Sequence, residues 1–509
     1  MPNPADEVHG TAAPVAHGLD RIEAVSAGAG AASMPSQKPL CVNLDGTLVN
    51  TDTLIEGILA ILSSRLKFVK VTQVMTTNRA AIKLRIAALA NLAPELLPYN
   101  KKLIDFLRKE KQRGRSIVLA TEADECLARR IADHLGIFDA VIASNGVHNL
   151  TGESKAAELV RRFGYKNFDY IGNSHSDLAV WREADGIITA NASNAVAKRA
   201  SALGKIAAQL DDRGALLPTV LRAIRPHQWV KNLLVFVPLL ASRSVTDWSG
   251  LFGALYMFAA FCAAASGIYL INDLMDLKAD RLHPRKRVRP FASGALSPSL
   301  GLPLAGALIA LGVALASQCG AALLLLIYAA ISLSYSFAFK SYPLLDVFIL
   351  AALYTLRIVA GGVASHHLTS LWLLAFSGFT FLSLALVKRV SDMPQAHRLG
   401  FDSVTRRGYF FEDRLMLIIF GVASAFSSSV VLALFVGSAA AIQQYRTPEI
   451  LWALVPLVLF WQCRLWLSTE RGFMDYDPII YASRDWVSWL VAIAVVATVA
   501  SASLDMRLW

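Results

Sequence analysis

Apolar and polar positions alternate in two different styles along the chain. Up to about residue 220, apolar runs are short and separated by segments of ordinary charge density. Within residues 38–48 the stretch LCVNLDGTL reads as a short strand ending in an Asp-Gly turn. Residues 53–110 have a helical pattern, and 115–121 (RSIVLAT) and 169–173 (DYIGN) read as further strands. Strands alternating with helices predict a parallel sheet covered on both faces, an α/β layer of Rossmann-like type. Residues 206–224 read as a linker and entry helix. From about residue 230 the apolar runs lengthen to what a bilayer requires. They fall near 230–242, 250–272, 300–317, 320–338, 344–364, 370–387, 413–436, 450–467 and 487–505, which predicts an all-α polytopic bundle of about nine helices. The first is short enough to begin in the interface.

Composition agrees with this division. Apolar residues make up 55% of the 509, more than a soluble chain of this length carries. The net charge of +11 is distributed unevenly. Loops near 243–249, 318, 365–369 and 437–449 carry almost no Lys or Arg, whereas 273–299 and 388–414 hold six each. That asymmetry is the positive-inside pattern of a membrane protein and argues against nucleic-acid binding. Residues 1–37 are rich in Ala, Gly and Pro and lack a basic start followed by an apolar core. They read as a disordered cytosolic lead-in and not as a signal peptide. With an odd number of spans, the charged loops then share the cytosolic side with the soluble half. The five cysteines show no paired spacing and read as packing residues.

The candidate chemistry of the membrane half centres on YLINDLMDLKADRLHPRKRVRPFASG at 269–294. Asp273, Asp276 and Asp280 are spaced i, i+3, i+7, which predicts one helical face. Three carboxylates at a membrane boundary repel one another and are costly to desolvate. Mg²⁺ offsets that cost because it favours carboxylate oxygens together with substrate phosphates. Asn272 adjoins them, and Arg281, Arg285, Lys286, Arg287 and Arg289 supply charge to hold a polyphosphate. A solvated loop of mixed charge is the bland alternative.

This segment resembles the first Asp-rich motif of the UbiA-type prenyltransferase superfamily, NDxxDxxxD followed by RPxASG. The resemblance covers about residues 220–509. It implies a helical membrane enzyme that binds a diphosphate through Mg²⁺ in a cytosol-facing cavity, with pyrophosphate as leaving group. The second Asp-rich motif departs from the pattern, since YSFAFKSYPLLDVFILAALYTLRIVAGG contains Asp346 alone. RPHQWVKNLLVFVPLL at 225–240, YSFAFK, LLDV, LRIVAGG and KRVSD at 388–392 are more similar to the decaprenyl-phosphate phosphoribosyltransferase branch. That branch implies phosphoribosyl pyrophosphate as donor and a polyprenyl phosphate lipid as acceptor. Two anionic substrates need a cationic site, for which Arg225, Gln228, Lys231, Asn232, Lys340, Arg357, Lys388 and Arg389 are candidates. Arg357 lies inside an apolar stretch, where a charge marks function. Asp346 is carried as a metal-side carboxylate. Asp392 reads as a helix-end charge, a structural partner of Arg389 or a second metal-side carboxylate, while Asp475, Asp477 and Asp485 of the 471–485 segment read equally as lining the cavity or capping a loop.

The soluble half resembles the haloacid dehalogenase superfamily over about residues 38–205, with 50–110 as a helical cap. The resemblance places Asn43 where that family carries its nucleophilic Asp, and Asp45 at the general acid. Thr121 matches the phosphate-holding second motif, Lys155 the third-motif lysine, and Asn173 and Asp177 the acidic Mg²⁺ positions of the fourth. A carboxamide is a poor nucleophile and brings no charge to a cation, so Asn43 predicts a weak or silent phosphatase. If active, its natural substrate is the 5-phosphate of the neighbouring product. The chain thus divides into 1–37, the phosphatase-like domain 38–205, a linker 206–224 and the transferase domain 225–509. The setting is a bacterial inner membrane with both sites cytosolic, and a homo-oligomer is compatible with the sequence. Alternatives are a prenyltransferase acting on an aromatic or quinone precursor, and a transporter or lipid-binding scaffold.

Overall fold

The computed structural model describes residues 38–63, 79–145, 148–242, 247–367, 369–398, 408–474 and 477–503. The lead-in 1–37 and Asp475 lie outside these. In the soluble half six parallel strands form one sheet: β1 (Leu40–Val42), β2 (Ile117–Asp124), β3 (Ala140–Ser144), β4 (Asp169–Gly172), β5 (Ile187–Thr189) and β6 (Ile206–Gln209). Their order is β3-β2-β1-β4-β5-β6. Leu40 registers with Ile117 on one side and Asp169 on the other, so β1 is central. All three of its residues are buried, as a strand with both faces covered requires. Leu40 and Val42 join a core with Leu119, Ile131, Leu103 and Leu107, while Cys41 faces a second core with Val118, Tyr170 and Trp181. Strand order reverses between β1 and β4, and a crevice opens at the carboxyl ends of strands at such a switch. Asn43 directly follows β1 and Asn173 directly follows β4.

The sequence reading anticipates β1, β2 and β4 but not β3, β5 and β6. β6 falls in the segment read as linker, so the soluble fold extends past residue 205. The helix Lys101–Gln112 also departs from expectation. Its Leu103 and Leu107 pack on β1, which makes it part of the sheet layer rather than of a cap. The helices set over the site are Thr53–Leu62 and Arg79–Ala90.

Among the described residues of the second half, seven helices are long and apolar enough to cross a membrane. They lie within Trp248–Met275, Pro298–Ser317, Leu345–Ala364, Leu371–Met393, Phe411–Val436, Pro448–Glu470 and Trp486–Ser503. Ala322–Phe337 is a shorter apolar helix. The segment read as a short first span is a 3₁₀ helix, Pro226–Phe236, continued by the α-helix Val237–Ala241. At about 2.0 Å per 3₁₀ residue and about 1.5 Å per α residue, it extends about 30 Å, the depth of the hydrocarbon core. A Cβ on Gly361 would fall on the carbonyl of Val235, and one on Gly253 would fall on that of Ala364. Small residues thus let the Leu345–Ala364 helix approach its neighbours backbone to backbone. Leu, Phe and Trp side chains such as Phe252, Leu434 and Trp489 remain exposed on the outside, as a lipid-facing surface demands.

Candidate active site

The Trp248–Met275 helix stops at Asp276, and Leu277–Leu282 starts immediately after it. The single helical face expected from the spacing is therefore broken, yet the carboxylates stay together through basic partners. Arg225, held in a left-handed conformation (φ 53°), donates Nη2 to both oxygens of Asp273. Arg289 Nη1 bridges Asp273 at 3.0 Å and Asp280 at 2.7 Å. Lys340 Nζ donates to Asp276 at 3.1 Å. Asp273 and Asp280 are buried, and Asp276 is half-buried. Burial pushes the Asp280 carboxyl above its ordinary value despite Arg289, and pushes the nearby Lys286 ammonium down. Asn272 Oδ1 is buried without a hydrogen-bond partner. Arg285 and Arg287 are exposed. Arg281 turns away from this cluster and pairs with Glu56 of the soluble half.

No group of three or more metal-ligating side chains converges among the described residues. Mg²⁺ needs only one or two carboxylates when it arrives with phosphate oxygens and water. Asp273 and Asp280 gathered round one nitrogen, beside the unpartnered Asn272 oxygen, fit an ion of that kind.

A second basic cluster lies further along the 3₁₀ helix. Side chains at i and i+3 eclipse in such a helix, so Gln228 and Lys231 share one face of it, and Arg225 is the left-handed residue just before its start. Lys231 Nζ donates to Asp477 at 2.6 Å, and Lys388 donates to the same oxygen at 3.1 Å. Burial alone would raise the Asp477 carboxyl. The two ammonium groups outweigh it and hold the group well below the usual carboxylate range. Asp477 also caps the Pro478–Arg484 helix. Arg357 is buried mid-helix. It donates to Asn232 Oδ1 at 2.9 Å, Tyr328 Oη at 2.8 Å and the Leu353 carbonyl at 2.6 Å. Its guanidinium also stacks over the Tyr328 ring, 4.6 Å from the centroid.

Asp346 and Arg389 do not present themselves as site groups. Both have no exposed surface, and they face each other at 2.6 Å. Tyr409 donates its hydroxyl to Asp346 at 2.5 Å. A carboxylate so engaged is a structural counter-ion, and the metal-side role expected of it has no support in this geometry. Asp485 likewise pairs with Arg464 and caps Ser488. Asp392 lies 3.4 Å from Arg389.

In the soluble half the expected residues do converge. Lys155 Nζ donates to Asn43 Oδ1 at 3.3 Å, and pairs with Asp177 at 3.1 Å. Asp177 further accepts from the amides of Asn173 and Ser174, each at 3.0 Å. Burial would raise its carboxyl, but Lys155 and the two amides bring it below its ordinary value. Thr47 donates to Asn173 Oδ1 at 3.0 Å, and Thr121 Oγ1 accepts from the Ala123 amide. Asp45 accepts from the Thr53 amide at 2.9 Å, yet burial and the neighbouring Asp52 push it up to about 7. It is thus poised to hold a proton near neutrality. Asp45 borders a cavity of about 480 Å³ that Asp52, Lys83, Glu122, Asn149 and Thr151 also line.

The UbiA prenyltransferase family model matches residues 233–472, and the haloacid dehalogenase-like hydrolase model matches 42–182. Uncharacterized protein y4nM of Sinorhizobium fredii is 34% identical over 458 residues, 89% of each chain. The chain belongs to the UbiA prenyltransferase family. This UbiA-family chain is also 39% identical to Nodulation protein NoeC of Azorhizobium caulinodans, over 52% of its own length and 87% of that protein. A third relative is the decaprenyl-phosphate phosphoribosyltransferase of Mycolicibacterium smegmatis. It is 37% identical over 191 residues, which is 36% of this chain and 60% of that one. The chain is therefore an integral membrane protein that joins a UbiA domain to a haloacid dehalogenase-like domain.

Against the expectations from sequence, the UbiA domain brings Arg225, Asp273, Asp280 and Arg289 into one cluster, with Lys340 on Asp276. It brings Lys231 and Lys388 into another. The hub of the second cluster is Asp477, for which a loop charge and a cavity-lining role read equally well. Tyr328 and Tyr354 escape sequence reading because a tyrosine in an apolar helix looks like packing. Tyr354 Oη lies 3.4 Å from Asp477.

Proposed function

We propose that the UbiA domain transfers 5-phosphoribose from phosphoribosyl pyrophosphate to a polyprenyl phosphate, and works with Mg²⁺ at the cytosolic face of a bacterial inner membrane. The observation that carries this reading is the pair of basic clusters, Arg225 and Arg289 on Asp273 and Asp280, and Lys231 and Lys388 on Asp477. A diphosphate donor and a lipid phosphate can use one each. Bound Mg²⁺ would neutralise the diphosphate and help it depart. Asn272, Asp273, Asp276 and Asp280 would hold the ion. As carboxylates turn to it, Arg225, Arg289 and Lys340 become free to grip phosphate oxygens, with Arg285 and Lys286 at the entrance. Lys231 and Lys388 orient the lipid phosphate, and Arg357 with Asn232 fixes the wall behind them. A lipid phosphate oxygen bonds to C1 of the ribose as the bond from C1 to the pyrophosphate oxygen breaks.

The soluble domain would act next, on the 5-phosphate of that product. Asp45 can supply the proton to a leaving group, with Thr121 and Lys155 holding phosphoryl oxygens. Asn43 cannot accept the phosphoryl group as a carboxylate does. Asn43→Asp is therefore expected to turn on release of phosphate from phosphoribosyl lipid. No release from that variant removes this assignment.

The decisive assay offers the membrane-embedded protein two labelled donors. Label from phosphoribosyl pyrophosphate should enter polyprenyl phosphate with equal release of pyrophosphate, and Asp276→Ala should remove both signals. Label entering an aromatic acceptor from a prenyl diphosphate, with none from phosphoribosyl pyrophosphate, overturns the reading.

A further inference from the structure

The Asp-rich segment of the membrane half is clasped by the soluble half. Arg281 follows Asp280 directly, and its guanidinium makes a two-pronged contact with Glu56, at 2.8 Å and 2.5 Å. Its Nε donates to the Ala292 carbonyl at 3.1 Å, which ties the start of the loop to its end. Glu56 is 3% exposed. Around this pair, Leu59 of the Thr53–Leu62 helix packs in one apolar cluster with Leu270, Leu274, Leu277, Phe291 and Leu296. At the end of the loop Gly294 has φ +77°, and a Cβ there would lie 2.8 Å from Asn50 and Pro98. Gly294 is therefore needed both for its backbone conformation and for the close approach of the soluble half.

A buried ion pair is poor evidence of stability in itself, because desolvation consumes most of its Coulomb gain. What it supplies is geometry: two planar, bidentate groups fix one another's position and orientation. Here the group fixed is the neighbour of Asp280, within the segment that carries Asp276 and Asp280 outside the regular membrane helix. Among the described residues, the carboxylate that meets Arg281 is Glu56 of the soluble half. The same soluble helix donates its Thr53 amide to Asp45, so it touches both candidate sites.

We propose that Glu56 is a positioning residue of the membrane site: through Arg281 the soluble domain holds the Asp276–Asp280 segment in the geometry that accepts a metal-bound diphosphate. This rests on the transferase reading given above. It makes the soluble domain a working part of the transferase whether or not it hydrolyses anything.

The test measures binding of inorganic pyrophosphate with Mg²⁺ to the purified full-length protein by calorimetry, alongside KM and kcat for the donor. Glu56→Gln is expected to weaken pyrophosphate binding and raise the donor KM about tenfold, with kcat changed by less than about threefold. Exchanging the charges, Glu56→Arg with Arg281→Glu, should bring affinity back to within about threefold of wild type. Wild-type affinity in Glu56→Gln overturns the proposal. So does an exchanged pair that folds but binds as weakly as Glu56→Gln. Where Glu56→Gln does not fold, the exchanged pair alone decides: affinity within about threefold of wild type supports the proposal, and a loss of about tenfold overturns it. Failure of the wild-type protein to bind pyrophosphate with Mg²⁺ sinks the underlying site reading, and the positioning role with it.

Discussion

At position 346 a carboxylate with no exposed surface meets the equally buried guanidinium of Arg389. Removing one partner of such a pair strands the other charge, at a cost of about 3–5 kcal/mol. Asp346→Asn is therefore expected to lower the melting temperature of the solubilised protein markedly. Its effect on Mg²⁺ dependence should be small, where loss of a metal ligand would raise the Mg²⁺ requirement. Asp45 behaves differently. Its folded value near 7 exceeds the ordinary 3.8, so between those limits the folded domain keeps a proton that the unfolded chain has released. Folding then binds protons, and the stability of the soluble domain falls as pH rises through that window. Asp45→Asn should flatten this dependence, which thermal melts of the full chain at about pH 4.5 and about pH 7 would reveal.

Among the elements, the 3₁₀ helix Pro226–Phe236 departs furthest from what the sequence suggests. Runs of this kind rarely exceed four residues, and a longer one marks strain or function. Here it sets Gln228 and Lys231 on one face, directly after the left-handed Arg225. The contact that supports it is the close approach of Val235 to Gly361. Gly361→Ala inserts a methyl group where a carbonyl already sits. It is expected to cost about 1–3 kcal/mol by overpacking. By displacing Lys231 it should also raise the KM for the lipid acceptor more than that for the donor. A loss of stability with both KM values unchanged would show that the placement of Lys231 does not depend on this packing.

On the scale of the whole molecule, the asymmetry of Lys and Arg predicts that the soluble half, the Asp-rich segment and the second basic cluster share one side of the membrane. Cys126 is exposed in the soluble half. A membrane-impermeant maleimide should label it in inside-out vesicles and not in intact cells. Labelling in intact cells would reverse the assignment. The contact between the halves through Glu56, Leu59 and Gly294 explains why the membrane helix can end at Asp276 without releasing the segment that follows.

The sequence alone determined the two textures of the chain, the central strand with its Asp-Gly turn, and the Asp-rich segment at a helix end. These are local signals, carried by periodicity and by charges too costly to bury without purpose. In the soluble half Asn43 and Asn173 stood out for a local reason too, because each directly follows a strand of the sheet. β3, β5 and β6 were not legible: β3 and β6 are the half-exposed edges of the sheet, and the interior β5 is three residues long, too short to show a period. Tertiary structure decided which charges pair with which. Asp477 and Asp346 both read in sequence as carboxylates next to apolar runs. One gathers two lysines, while the other is sealed against Arg389. Partner identity is a long-range property, set by which helices pack together, and no local pattern encodes it.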